Sequence, residues 1–413
     1  MQLSHFGTKF SGPSGIVTLM DDLGNALRDN PGIIMMGGGN PARIPAVLDC
    51  YRRHLRALVD DEEASFALLG RYQGPLGDYD VRTLLADTLR QRYGWELTAE
   101  NVALTNGGQS AFGLLANMLT GEGGGGMRRL LFPLAPEYLG YADTALDPRA
   151  FVAAQPAIEL LPAQQFKYRV DFATLPFDAN VAALCVSRPT NPSGNVISIG
   201  ELDQLDALAR ARGIPLIVDA AYGAPFPGIL FEDDTAYWND NVILLLSLSK
   251  LGLPGARAGF MIASPGRVAA FARANTIFNL ASGNLGPALA QRLLAHDELL
   301  PLCRQHIQPW YQARLETALA CVAREFTGID YRLHRPEGAF FLWLWLPALP
   351  IASAALYERL KAAGVLVIPG DSAFFGLAQE WPHSRQCLRL SFALPDAQLV
   401  EGLRRIAAVL KTL

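Results

Sequence analysis

Lysine is scarce in this 413-residue chain. There are five, Lys9, Lys167, Lys250, Lys361 and Lys411, and arginine supplies the rest of the 35 basic side chains. Other shortages act as exclusions. Charged residues make up only 18% of the sequence and the net charge is −4, which removes the basic footprint expected of a nucleic-acid binder. No uninterrupted apolar run reaches the ~18 residues of a membrane helix, so no membrane partner is expected. The start, Met1 to Phe6, lacks a basic segment followed by an apolar one, so no secretory leader is expected. The cysteines (Cys50, Cys185, Cys303, Cys321 and Cys387) are dispersed without a C-x-x-C pair, and the histidines show no H-x-x-x-H spacing. This predicts reduced thiols, a cytoplasmic location and no metal centre. What is abundant is hydrophobic content, 50%, over a length that holds two domains with separate cores.

The middle of the chain alternates strand and helix signals. Val102 to Leu104, Arg129 to Leu134, Val181 to Ser187, Ile214 to Asp219, Asn241 to Leu248 and Ala258 to Ala263 read as strands. Ala111 to Leu119 and Glu201 to Arg212 read as helices. Several strands are nearly continuous apolar runs, as expected when helices cover both faces of a mostly parallel sheet. The last third differs: an aromatic strand (Gly338 to Leu346), a helix (Ala352 to Ala363), a strand (Cys387 to Phe392) and a final helix (Asp396 to Leu410). That order predicts a smaller α+β domain. No internal repeat is visible.

Among the lysines, only Lys250 follows a strand that reads as buried. Lys361 has polar helical neighbours, and Lys167 sits between Gln164-Gln165 and Arg169. A lysine drawn out of water loses proton affinity and becomes a usable amine for Schiff-base chemistry. A strand-end lysine pointing to water fits the same run, and spacing leaves both readings open.

Familiar motifs fail their context. Gly121 to Gly126 fits G-x-G-x-x-G but follows a helix instead of a strand, and the Gly123 to Gly126 run reads as a turn. Gln109-Ser110-Ala111 resembles a nucleophile elbow, yet Phe112 replaces its closing glycine. There is no P-loop. Four other strand ends carry more. Thr105-Asn106-Gly107-Gly108-Gln109-Ser110 lies between a strand and a helix, where backbone N–H groups can meet an anion. Arg188 to Asn195 forms a Pro-bounded loop presenting Asn191. Asp219 ends a buried strand with Tyr222 three residues on, where open α/β sheets bind ligands. Ser247-Leu248-Ser249-Lys250 ends another. Each alone also reads as an ordinary turn or cap. Together they supply phosphate donors, a ring-nitrogen partner, ring-oxygen donors and an amine, the set that pyridoxal phosphate requires.

With these blocks, and with Leu131 to Tyr138, Val186 to Pro192, Ser247 to Gly255 and Pro336 to Ala339, the chain resembles the fold-type I pyridoxal-phosphate aminotransferases of class I/II. The resemblance runs from Ile34-Met35-Met36-Gly37-Gly38-Gly39-Asn40-Pro41 to Gln386-Cys387-Leu388-Arg389. It implies an α/β fold, with a large domain over residues 46–297 carrying a mostly parallel seven-stranded sheet. Residues 1–45 and 298–413 would form the smaller α+β domain, and the active unit would be a homodimer. It implies pyridoxal 5'-phosphate as cofactor and an amino acid and a 2-oxo acid as substrates. By the same resemblance Lys250 forms the Schiff base, Asp219 faces the ring nitrogen, and Tyr222 and Asn191 donate to the ring oxygen. Ser247, Arg257 and the backbone of Gly108 and Gln109 hold the phosphate. Tyr138 stacks on the ring, and Tyr72 reaches a neighbouring subunit's phosphate. Arg389 grips the substrate carboxylate, with Gly39 and Asn191 in the same pocket. Gly108 departs from the family, where serine is common, so a hydroxyl contact is lost there.

Arg389 accounts for a single carboxylate, and only Arg43 and Arg188 stand as candidate second cations. The apolar Ser14 to Met20 segment is expected to fold over the site as a lid. These features favour a small or branched aliphatic donor such as valine, with pyruvate as acceptor and alanine as product. A different amino-acid specificity and a β-lyase would keep the same cofactor residues.

Overall fold

The apolar strands lie side by side in the computed structural model, buried along their whole length in the cases that matter most: Val102–Thr105, Val181–Ser187, Leu216–Asp219, Val242–Ser247 and Gly259–Ile262. The structure describes residues 2–123 and 125–413, the side chain of Leu27 apart. Gly124, part of the glycine run read as a turn, lies outside the described residues.

The main sheet runs Val102–Thr105, Gly259–Ile262, Val242–Ser247, Leu216–Asp219, Val181–Ser187, Gly126–Phe132. Phe151–Ala153 pairs in parallel with Gly126–Phe132 and completes the seven expected strands; the short Gly121–Gly123 hairpin strand makes the sheet 8-stranded. Gly259–Ile262 is antiparallel to both neighbours, and the central pairings are parallel. Helices Gly108–Leu119, Ile199–Ala211 and Pro265–Asn279 pack on the strands. Their starts are written locally. Ser198 and Glu201 cap each other's backbone at Ile199–Ala211. Gly108–Leu119 instead starts from Gly107, with φ 90 and no side-chain cap, so its first N–H groups stay available. A β-carbon at Gly107 would lie 2.9 Å from Arg257 Nη2, so the left-handed backbone and the close guanidinium both call for glycine.

A second, 6-stranded sheet runs Ile368–Pro369, Cys387–Ser391, Phe341–Trp345, Arg332–His334, Gln165–Arg169, Ala157–Leu161. The Ala157–Arg169 hairpin, from within the span 46–297, thus joins strands of the last third through parallel pairing of Leu333 with Gln165. Ile34–Met35 pairs in parallel with Val365–Leu366, tying the N-terminal segment to that same third. The aromatic strand starts later than its composition suggests. Gly338 turns against Pro189, with a β-carbon there 2.8 Å from Pro189 Cγ, and Ala339 has φ 59; extended pairing begins at Phe341.

Strand register sets the site. Asp219 pairs with Ser187 on one side and Leu245 on the other, so Val181–Ser187 and Leu216–Asp219 end level while Val242–Ser247 runs on past them to Ser247. Ligands bind outside such carboxyl ends in open α/β sheets.

Candidate active site

A cavity of about 540 Å³ opens at these strand ends. Gly39, Gly108, Gln109, Tyr138, Asn191, Asp219, Tyr222, Ser247, Lys250, Arg257 and Arg389 all line it. Tyr72 does not; it is 85% exposed on the outer surface.

Lys250 lies in the turn after Val242–Ser247, where Ser247 Oγ accepts the Ser249 N–H at 3.1 Å. Its ammonium donates to Gly39 O at 2.8 Å and stands 5.1 Å from the Tyr222 ring centroid. A β-carbon at position 39 would lie 4.0 Å from Nζ, in ordinary contact. Loss of water, reinforced by the nearby Arg389 and Arg257 charges and opposed by Asp219, lowers the Lys250 ammonium to about 8. A substantial fraction of neutral amine is therefore present near neutral pH.

Asp219 is buried. Its carboxylate accepts the Ala221 N–H at 2.8 Å and the Tyr141 hydroxyl. Burial raises its pKa, and those two donors and Lys250 pull it back. Arg389 is buried too, donating to Asn191 Oδ1 and Gly37 O, each at 2.7 Å, with its guanidinium 4.2 Å above the Phe341 ring. Its Nε has no protein partner. Arg389 lines the cavity, braced by a side chain and a carbonyl.

The fit of a phosphorylated pyridine aldehyde can be tested on these groups. The uncapped helix start at Gly108 and Gln109, the Ser247 and Ser249 hydroxyls and the Arg257 guanidinium lie on one rim of the cavity and suit a dianion. Asp219 supplies an acid partner, Lys250 an amine, and Tyr138 an aromatic wall. The donor set fits.

The comparisons agree with the site. The model of the family "Aminotransferase class I and II" matches residues 48–406. The chain belongs to the class I and II aminotransferases. It is an aminotransferase, and its cofactor is pyridoxal 5'-phosphate. The valine–pyruvate aminotransferase of Escherichia coli (strain K12) is 47% identical to this aminotransferase over 99% of the chain and 97% of the relative. The crystal structure of valine-pyruvate aminotransferase from Salmonella typhimurium LT2 superposes with a TM-score of 0.88 at 45% identity, covering 96% of this chain and 98% of that one. An aspartate aminotransferase of Thermus thermophilus shares the fold, with a TM-score of 0.78 at 21% identity over 99% and 100% of the two chains.

Several site groups escaped sequence reasoning. Tyr141 follows Tyr138 by three residues, and the single 3-10 turn Leu139–Tyr141 carries it under the site to Asp219. That i, i+3 spacing was the available signal. Ile16, Leu19, Met20 and Leu23 line the cavity from one face of the Gly15–Asp29 helix, so the apolar segment expected as a lid extends a turn beyond Met20. Neither candidate second cation reaches the cavity. Arg188 is buried and committed to Ile197 O at 2.9 Å, Asp233 at 2.7 Å and Thr235 O, and Arg43 lies at a separate surface depression with Arg52. Lys167, which lies in sequence between Gln164-Gln165 and Arg169, is only 2% exposed.

The fold also assembles a group that spacing did not reveal: Cys50, His54 and Glu298, whose ligand atoms lie within 4.8 Å of one another. It is a hydrogen-bonded cluster. His54 Nε2 meets Glu298 at 2.6 Å, Arg53 holds the same carboxylate at 3.0 Å, and Arg292 donates to His54 Nδ1 at 3.3 Å. Two guanidiniums facing the cluster make it unfavourable for a cation.

Proposed function

We propose that this aminotransferase moves the amino group of valine or a similar small or branched aliphatic amino acid to pyruvate, giving alanine. One observation carries the substrate reading: the cations lining the cavity are Lys250, Arg257 and Arg389, and the remaining wall includes the apolar helix face of Ile16, Leu19, Met20 and Leu23. Arg257 lies against Gly107 at the anion rim. Arg389 alone then remains for a substrate carboxylate, and a side-chain carboxylate would face hydrocarbon without a counter-charge. The valine–pyruvate activity in the names of the 47% and 45% identical relatives supports the same reading.

The cofactor supplies a carbonyl for amines and a sink for the electron pair left at the substrate Cα. The chain supplies the rest. Arg389 takes the carboxylate through two N–H groups, its plane fixed by Asn191 and Gly37 O. Lys250, with its lowered proton affinity, removes the Cα proton as general base. Asp219, oriented by Tyr141 and the Ala221 N–H, holds a proton on the ring nitrogen. Tyr222 and Asn191 serve the ring oxygen, Tyr138 the ring face, and Ser247, Arg257 and the Gly108 and Gln109 N–H groups the phosphate. Gly39 offers Lys250 its carbonyl oxygen. The large catalytic unit is residues 46–297, with 1–45 and 298–413 closing the site.

The working form we propose is a homodimer. Phe66, Leu69, Tyr72, Ile277, Phe278 and Leu280 are exposed, and Asn284 joins their two segments by donating to Ala67 O at 3.0 Å and Arg71 O at 2.8 Å. An apolar face of this kind favours a protein partner, and a second copy would bring Tyr72 to its neighbour's phosphate rim. Five unpaired cysteines support a cytoplasmic location.

Steady-state comparison of valine, 2-aminobutyrate, alanine, glutamate and aspartate as donors tests the substrate reading. The aliphatic donors should lead and differ modestly, since one methylene is worth ~1–3 kcal/mol in an apolar pocket. A preference for glutamate of about a hundredfold or more, the ~2.7 kcal/mol of a good ionic contact, would overturn it.

A further inference from the structure

Behind the cavity wall lies a carboxyl that the chemistry above does not use. Glu137 is 3% exposed and sits at the end of the segment that follows Gly126–Phe132. Its Oε1 accepts the Ser187 N–H at 2.8 Å, and its Oε2 meets the Ser187 hydroxyl at 2.6 Å and the Tyr138 N–H at 3.2 Å. Its own N–H donates to Ala373 O at 2.9 Å, across to the last third of the chain. Ser187 and Tyr138 both line the cavity, and Ser187 is the register partner of Asp219.

We infer that Glu137 is a positioning residue for the cofactor ring, one side chain that locks the Tyr138 wall to the strand end beside Asp219. The inference rests on the proposed placement of the ring against Tyr138. No other side chain bonds the backbone of both Tyr138 and Ser187 among the described residues. Removing the tie would leave Tyr138 held by the Tyr141 N–H on its carbonyl at 2.9 Å and by ring contacts such as the edge-on packing of Tyr141 at 5.2 Å. Burial, helped by the Asp219 charge, pushes the Glu137 carboxyl up to about 8 against the pull of the Ser187 and Tyr138 donors. Near neutral pH the group is then largely protonated: Oε1 accepts from the Ser187 N–H while the acid proton goes to Ser187 Oγ. A glutamine amide keeps both Ser187 contacts, accepting through its oxygen and donating through its nitrogen, but that nitrogen cannot accept the Tyr138 N–H. Aspartate keeps the acid but is one methylene short of reaching Ser187.

The test compares Glu137→Gln and Glu137→Asp holoenzymes, each checked for a cooperative thermal transition. The readouts are the cofactor dissociation constant and the visible circular dichroism per bound cofactor, which reports the seat of the ring. Aspartate should weaken cofactor binding about tenfold, the worth of one or two hydrogen bonds, and reduce the visible signal. Glutamine should weaken binding less, about threefold, because it loses the single Tyr138 N–H contact, and should reduce the signal by less than aspartate does. A role confined to fold stability would lower the thermal midpoint and leave the signal per bound cofactor unchanged. An aspartate variant that behaves as the parent, or a glutamine variant more impaired than aspartate, would overturn the inference. Tyr138→Leu separates the two levels of the argument. If it leaves the visible signal unchanged, the ring placement fails; if it alters the signal while Glu137→Asp does not, only the role of Glu137 fails.

Discussion

Two lysines of this protein have been drawn away from bulk water, and the difference between them explains why one is chemically useful. Lys167, on the Gln165–Arg169 strand, is sealed in with Glu337, Asn195 Oδ1 at 3.2 Å and Val196 O at 3.0 Å. Three ammonium protons meet three acceptors. Lys250 has one, Gly39 O, and otherwise faces aromatic rings, two guanidiniums and the open cavity. Burial lowers the proton affinity of both; at Lys167 the Glu337 charge and its direct hydrogen bond work against it, whereas at Lys250 the Asp219 charge does so without a hydrogen bond. Desolvation alone therefore does not make a reactive amine. It must come without compensating acceptors and with access for a substrate. Lys167 serves geometry instead: Glu337 also takes the Val196 N–H at 2.9 Å, so the pair pins the far end of the loop that presents Asn191 to Arg389.

The largest effect should come from deleting the useful amine. Lys250→Ala is expected to abolish multiple-turnover transamination and the visible absorbance of the protein-bound cofactor. The variant should still fold, because the ammonium forms no ion pair. Absorbance spectra and a coupled assay for keto-acid formation check this. A variant retaining both properties would break the distinction drawn here.

Deleting the other lysine should do the reverse. Lys167→Met leaves Glu337 buried without its counter-charge, and breaking such a pair costs about 3–5 kcal/mol of stability. Chemical denaturation of the holoenzyme measures it. Adding Glu337→Gln to Lys167→Met should recover part of the loss, since the stranded charge is then removed. If the single substitution changes stability by less than about 1 kcal/mol, the level of an exposed pair, Lys167 is not the anchor its contacts describe.

The same contrast shows what the sequence could disclose. The apolar run Asn241 to Leu248 announced a covered strand, so the position of Lys250 at its end was legible. Lys167 was not. Phe166 and Tyr168 flank it, with polar Gln164, Gln165 and Arg169 beyond them, and its burial arises because the Ala157–Arg169 hairpin leaves its own stretch of chain to pair with Arg332–His334, a tertiary event with no local signature. The cofactor shell was legible for a related reason. Asp219, Asn191, Ser247 and the Gly107–Gln109 turn each sit at a strand end, where local pattern fixes direction. Tyr141, Glu137 and the inward face of Gly15–Asp29 act across elements, through a one-turn reversal, a neighbouring strand and a docked helix. Arg188 misled for the opposite reason: a cation in the active loop was visible in the sequence, but its commitment to Asp233 and two carbonyls was not.

The smallest expected effect is the most direct measure of the difference between the two lysines. An uncharged arylating reagent attacks only a neutral amine, and a lysine in water reaches half its limiting rate near pH ~10.4. Lys250 should do so near pH 8, since loss of water and the Arg389 charge lower its ammonium to about 8. The sign follows from which form reacts. Above that pH the amine is mostly neutral and the rate levels off; below it the rate falls about tenfold per pH unit, a step worth ~1.4 kcal/mol. Peptide mass analysis of the cofactor-free protein, reacted at a series of pH values, assigns the label to each lysine. Lys167 should remain unlabelled throughout in the folded protein, because its three protons are engaged and it is buried. Labelling of Lys250 with a midpoint at pH ~10 would mean that its ammonium is as well solvated as any surface lysine. The distinction between an uncompensated and a compensated buried lysine would then fail at the residue on which it depends.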